Sequence, residues 1–150
     1  MRVAVACDHA GFPLKAVVIE AARRLGHDVL DLGTNSTDPV DYPDIAEAVG
    51  RAILDGRSER GIVVCGSGVG AAVAANKMNG LRAAVLGDVY SARQAVEHDD
   101  IQVLSLGARV IGPALAQSVV EAFLQATFSG EERHVRRLKK IAALEARQRE

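Results

Sequence analysis

The sequence predicts an α/β protein in which a parallel sheet is covered by helices on both faces, and three observations carry that expectation. Short apolar runs alternate with segments of helical periodicity along the chain, joined by short connections. The runs RVAVAC and GIVVC are nearly continuous in apolar residues rather than alternating, as strands buried on both faces are. Polar and glycine residues stand at the ends of the runs, where open parallel sheets hold their ligands.

Taken in order, a strand over 2–7 ends in Cys7-Asp8-His9 and is followed by a helix over 12–25. A strand over 28–31 leads through Gly33-Thr34 to a helix over 43–54. The third strand, 61–64, breaks at Cys65-Gly66-Ser67-Gly68 and opens a helix over 69–77. A strand over 82–86 ends in Gly87-Asp88 before a helix over 91–97, and a strand over 103–106 ends in Gly107-Ala108-Arg109 before a helix over 113–126. A last helix is expected over 131–147. No repeat, low-complexity tract or linker interrupts the pattern, so residues 1–150 are expected to form one domain.

Composition narrows the function. With 49% hydrophobic and 25% charged residues the chain has material for an ordinary core, and a net charge of -1 argues against a nucleic-acid partner. Two cysteines make no disulfide framework, and neither belongs to a metal-ligand pattern. MRVAVAC reads as a strand rather than a leader, and the 61–76 run is too short and glycine-rich to cross a bilayer, so a cytoplasmic location is expected.

The chemistry gathers at GIVVCGSGVGAAVAANK. Gly66, Gly68 and Gly70 let the backbone approach a ligand, and the helix that follows aims free N–H groups at an anion; a tight strand-to-helix turn is the plainer alternative. The spacing lacks the last glycine of a dinucleotide fingerprint and stands on the third strand, although Asp88 lies at about the distance of a ribose-binding acid. A phosphate-binding loop is excluded by the missing Gly-Lys-Ser/Thr, and a nucleophile elbow by Cys65 in the place of its first glycine. Cys7 reads as a small buried hydrophobe. Cys65, at a helix N-terminus that favours thiolate, could attack carbon or remove a proton from it, and the second task suits amides that would hold an enediolate oxygen. Asp8 and His9 follow the first strand and can face the same rim, or form only a turn with a helix cap; His98 closes the fourth helix, where a solvated histidine is the commoner reading; Arg133 and Arg137, four apart, share a helix face that suits a phosphate dianion, with an ordinary solvated helix as the usual explanation.

These segments together resemble the type B ribose-5-phosphate isomerase family with its galactose-6-phosphate isomerase relatives. The matching stretches are CDHAGFPLK, DLGT, DYPD, GIVVCGSGVG with AANK, YSAR, EHDD, LGARVIG and RH---R, in the family's order and over nearly the whole chain. The resemblance implies a three-layer α/β/α Rossmann-like fold around a five-stranded parallel sheet. It also implies a homodimer with shared sites, and reversible aldose–ketose isomerisation of a sugar phosphate without metal or organic cofactor. Ala71 stands where one branch has a glutamate, which places the chain with the branch that uses a cysteine base.

By the same resemblance His98, helped by Asp8, opens the furanose ring, and Cys65 moves a proton between C2 and C1. Ser67 and the amides of Gly66, Ser67, Gly68, Val69 and Gly70 steady the oxyanion. His9, Arg109, Arg133 and Arg137 hold the phosphate, some of them from the partner subunit, and Tyr42 lines the sugar pocket. Two departures stand out: His98-Asp99-Asp100 replaces the usual His-Asn-Asp, and Gly130-Glu131-Glu132 is longer than the usual glycine pair before Arg133. An ionised Asp99 cannot donate the hydrogen bond of the asparagine that contacts the sugar, so it is protonated, turned away, or met by another hydroxyl pattern. The expected reaction is ribose 5-phosphate to ribulose 5-phosphate, with other four- to six-carbon sugar phosphates as alternatives. A nucleotide-binding dehydrogenase and a non-catalytic sugar-phosphate sensor are the readings outside the class. The stripe Leu138, Ile141, Ala142, Leu144 is expected to pack on a second subunit, with pairing of dimers into tetramers left open.

Overall fold

Five parallel strands form one sheet in the order second, first, third, fifth, fourth, with helices on both faces and the last helix packed outside them on the fourth helix. The structure is a computed structural model and describes residues 1–147. The strands are β1 (Arg2–Cys7), β2 (Asp28–Asp31), β3 (Arg60–Cys65), β4 (Ala83–Val85) and β5 (Val103–Gly107). The helices are α1 (Phe12–Arg24), α2 (Tyr42–Leu54), α3 (Val69–Asn76), α4 (Val89–Asp99), α5 (Pro113–Gln125) and α6 (Glu132–Arg147). The expected five-stranded, three-layer α/β/α arrangement is therefore present. Prolines preset the first turns of α1, α2 and α5, where a missing N–H costs no hydrogen bond.

Alternation along the buried strands sorts the core into two layers. Val3, Val5 and Cys7 of β1, with Ile62 and Val64 of β3, meet α1, α4 and α5. Ala4 and Ala6, with Val63 and Cys65, meet α2 and α3. The second layer is built from small residues, so its helices ride close to the sheet; a Cβ on Gly61 would lie 2.2 Å from Val49. Phe123 fills the centre of the first layer, fully buried, and is worth about 3 kcal/mol of apolar burial.

Two differences from the sequence expectation concern edges. β4 shrinks to three residues because it is an edge strand, paired only with β5. α4 starts two residues earlier than its apolar pattern suggests, because the Asp88 carboxylate accepts the Ser91 N–H at 2.7 Å and caps it. At the amino edge of the sheet, Arg60 donates to the Phe123 carbonyl at 2.7 Å and the Ala126 carbonyl at 2.8 Å. It thereby satisfies the open end of α5 and fixes the point from which the chain departs toward α6.

Candidate active site

The sheet changes direction between β1 and β3: the chain moves one way from β1 to β2 and the other way to β3 and beyond. A cleft of about 360 Å³ opens there at the carboxyl edge, lined by Asp8, His9, Tyr42, Cys65, Ser67 and Arg109 among others. Cys65 is 4% exposed and turns its thiol into the glycine turn, where the Gly68 N–H donates to Sγ at 3.2 Å. Gly68 has φ +85, which an L side chain rarely adopts, so the turn needs glycine there. Gly107 is needed for a different reason: a Cβ on it would lie 2.5 Å from the Ser67 carbonyl oxygen. Ser67 Oγ accepts the Val69 N–H at 3.2 Å, which leaves the hydroxyl proton to donate outward. The first-turn N–H groups of Gly70 and Ala71 have no acceptor within α3 and can take an oxyanion.

The other cleft side chains are held from behind. Asp8, 6% exposed, accepts the Gly11 N–H at 2.8 Å through Oδ1. The Val40 N–H donates to His9 Nδ1 at 3.2 Å, so in the neutral ring the proton sits on Nε2, free to donate. The Arg109 N–H bonds the Gly66 carbonyl at 3.0 Å, tying the arginine to the glycine turn. Tyr42 lies across Gly70, where a Cβ would come within 2.5 Å of the phenol ring.

Beneath the cleft the buried Lys15 binds the Asp31 carboxylate at 2.7 Å, the Thr34 carbonyl at 2.8 Å and Asn35 Oδ1 at 2.9 Å. Burial acts to raise the Asp31 carboxyl, but bonds from Lys15 and Gly33 and the charges of Lys15 and Arg23 hold it below the ordinary value. Cys7 faces the opposite core layer, and burial pushes its thiol up despite Lys15. It is the inert cysteine of the two.

His98, Asp99, Arg133 and Arg137 lie elsewhere. α4 runs back from the carboxyl edge, so its end carries His98 and Asp99 to the amino edge, next to the start of β5. Cys65 pairs with Gly107 at the far end of that five-residue strand, about 13 Å from Val103 at the usual rise per residue. α6 begins at the same amino-edge corner: the Ser129 N–H bonds the Glu97 carbonyl at 3.0 Å, and the His134 ring stacks on His98. Arg133 is paired with Glu131, and Arg136 with Glu132 at 2.8 Å, so both glutamates of the lengthened segment engage basic neighbours. Asp99 is exposed; its carbonyl accepts from Arg82 Nε at 2.8 Å. One chain therefore brings Asp8, His9, Tyr42, Arg109 and the glycine turn to Cys65, but not His98, Asp99, Arg133 or Arg137.

Several site residues went unread in the sequence. Ser105 is wholly buried in β5 and donates to the Gly68 carbonyl at 2.6 Å, clamping the turn; its signal was a hydroxyl inside the apolar run VLSL. The Val40 amide that orients His9 leaves no mark in a side-chain pattern. Asp88 proves to be a helix cap, which removes the acid on which a dinucleotide reading depended; its Ser91 bonds hold that carboxyl below the ordinary value. Among the described residues no helix is long and apolar enough to cross a membrane.

A sequence model described as ribose/galactose isomerase matches residues 3–141. The chain is 42% identical to ribose-5-phosphate isomerase B of Escherichia coli, over 97% of each chain. It is 42% identical to the D-erythrulose-4-phosphate isomerase of Pectobacterium atrosepticum, over 87% of this chain and 86% of that one. The solved structure of the Trypanosoma brucei type B ribose 5-phosphate isomerase superposes with a TM-score of 0.93 at 43% identity, covering 95% of this chain and 97% of that one. With a strand-end cysteine set in a glycine turn beside an aspartate, a histidine and an arginine, and with those likenesses over nearly its full length, the chain belongs to the ribose/galactose isomerase family.

Proposed function

We propose that the protein interconverts an aldose phosphate and its ketose, ribose 5-phosphate and ribulose 5-phosphate first among them, with Cys65 as the carbon base. The observation that carries this reading is the Gly68 N–H donating to Cys65 Sγ at the wall of a cleft that also holds Asp8, His9 and Arg109. A thiolate held that way takes the C2 proton of the open-chain aldose. The electron pair moves into C1=C2 and charge collects on O1, where Ser67 and the α3 amides donate to it. The thiol then returns its proton to C1 while the O2 proton passes to O1, which leaves the ketose. His9 and Arg109 supply donors for the phosphate from the same chain.

Ring opening needs an acid and base that one chain does not bring to the cleft. A second copy supplies His98 and Asp99, together with Arg133 and Arg137, so that each site combines the carboxyl edge of one chain with the α4–α6 corner of another. The exposed Ile141 and Leu144 on α6, whose described part buries only His134, support a homodimer in which this helix is covered by the partner. We place the enzyme in the cytoplasm, acting on small soluble metabolites. A relative named for a four-carbon ketose phosphate and Asp99 in place of asparagine favour one second reading, a tetrose phosphate substrate. Assay of four-, five- and six-carbon aldose and ketose phosphates decides between them; conversion of none of them contradicts the proposal.

A further inference from the structure

We infer that His134 is a positioning residue for His98, setting the ring-opening histidine at a fixed distance from the phosphate-binding arginines; this rests on the function proposed above. His134 is one of the few charged or polar side chains to be buried, at 2% exposure, and the only residue of the described part of α6 that is. Its ring stacks on His98 with centroids 4.1 Å apart and planes 25° from parallel. Its Nδ1 shares a hydrogen bond of 2.6 Å with Ser129 Oγ, while the Ser129 N–H bonds the Glu97 carbonyl at 3.0 Å. Glu97 precedes His98, so the bonds and the stack close a loop: α4 backbone, Ser129, His134 ring, His98 ring. A half-exposed histidine at a helix end would otherwise share its time among rotamers. The stack selects one of them.

Charge supports the same division of labour. Burial, with His98, Arg133 and Arg137 close by, keeps the His134 imidazole below its ordinary value, against a smaller pull from Asp99. That shift favours the neutral form of His134, and a neutral ring can stack on the neighbouring imidazole where two imidazoliums would repel. Arg133 precedes His134 and Arg137 follows it by three on α6, which puts the brace and the phosphate grips in one helical turn. The helix thereby fixes how far the acid stands from the phosphate, and so which ring oxygen it can reach.

The test separates ring opening from proton transfer. Ribose 5-phosphate is mostly a closed ring. Ribulose 5-phosphate cannot close a five-membered ring because its C5 oxygen is esterified, so exchange of its C1 hydrogen with heavy water needs the phosphate grip and Cys65 but no ring opening. His134→Ala is expected to lower kcat on ribose 5-phosphate at least tenfold while C1 exchange stays within about threefold of the parent enzyme. His134→Phe, which keeps a stacking face, should recover part of that loss. Ser129→Ala, a change near the surface that leaves the fold intact, should shift the same ratio of rates about threefold. Equal loss in both assays, a rise in KM alone, or no loss in either would overturn the inference. His98→Ala distinguishes the two failures. If it spares conversion of ribose 5-phosphate, the ring-opening assignment falls and this inference with it. If it impairs conversion while His134→Ala and Ser129→Ala do not, only the present inference falls.

Discussion

The carboxyl edge and the amino edge of the sheet, which the proposed function joins in one site, are built in opposite ways. At the carboxyl edge the reactive groups sit at strand ends and are locked by backbone: Gly68 N–H on the thiol, Gly11 N–H on Asp8, Val40 N–H on His9. At the amino edge they sit on helices and are braced by side chains, His134 on His98 and Glu131 on Arg133. At the first edge Cys65 and Asp8 are buried while Tyr42, Ser67 and Arg109 stand exposed around them; at the second only His134 is buried, and the groups lie at the far edge of the sheet from the thiol. On the proposed function, proton transfer at carbon needs the close placement that strand ends give, whereas ring opening and phosphate grip must also admit the substrate, which a corner lent by a second chain would allow.

Substitutions at each edge sharpen that contrast. Cys65→Ala should give the largest effect, a loss of about 10³-fold or more in kcat with sugar phosphate still bound, measured by isomerisation rate and by calorimetric titration. Arg137→Ala at the other edge should instead raise KM roughly tenfold and leave kcat within a few-fold, since its proposed role is to grip a phosphate that does not react. Ser105→Ala should fall between structure and chemistry: losing the buried hydroxyl on the Gly68 carbonyl costs about 1 kcal/mol of stability and loosens the turn, with a drop in kcat of a few-fold. A Ser105→Ala enzyme with unchanged stability and rate would show that the turn holds itself.

The smallest expected effect is on pH. His134 is held below its ordinary value in the folded protein, so on the acid side the unfolded chain binds the proton more readily. Its contribution to stability is present above the unfolded value near 6.5 and diminishes as pH falls through it. Thermal unfolding at pH 7.5 and 5.5 should show a smaller acid loss in His134→Phe than in the parent. An identical loss would mean that His134 titrates freely.

The carboxyl edge was legible in the sequence because its determinants are local. β1 and β3 announce themselves as apolar runs, and Cys65-Gly66-Ser67-Gly68 marks both the turn and the thiol. The amino edge was legible only through the family resemblance, since nothing in the spacing of His98, Arg133 and Arg137 reveals that a helix returning along the sheet sets them at the opposite edge from the cysteine. That β5 lies between β3 and β4 is likewise a property of strand pairing, not of any one segment. His134 passed unnoticed because a single histidine in the charged run ERHVRRLKK looks like a solvated face, and only the packing of α6 on α4 buries it.

The central claim is that each working site joins Cys65 of one chain to His98 of another, and mixing two inactive variants tests it most directly. Cys65→Ala and His98→Ala chains, each inactive on ribose 5-phosphate, are dissociated, combined in equal amounts and allowed to reassociate. About half of the dimers are then mixed, and each holds one site with both residues intact, so activity should return to about one quarter of the parent level. If the mixture stays as inactive as its components although mixed dimers have formed, the two edges do not share a site.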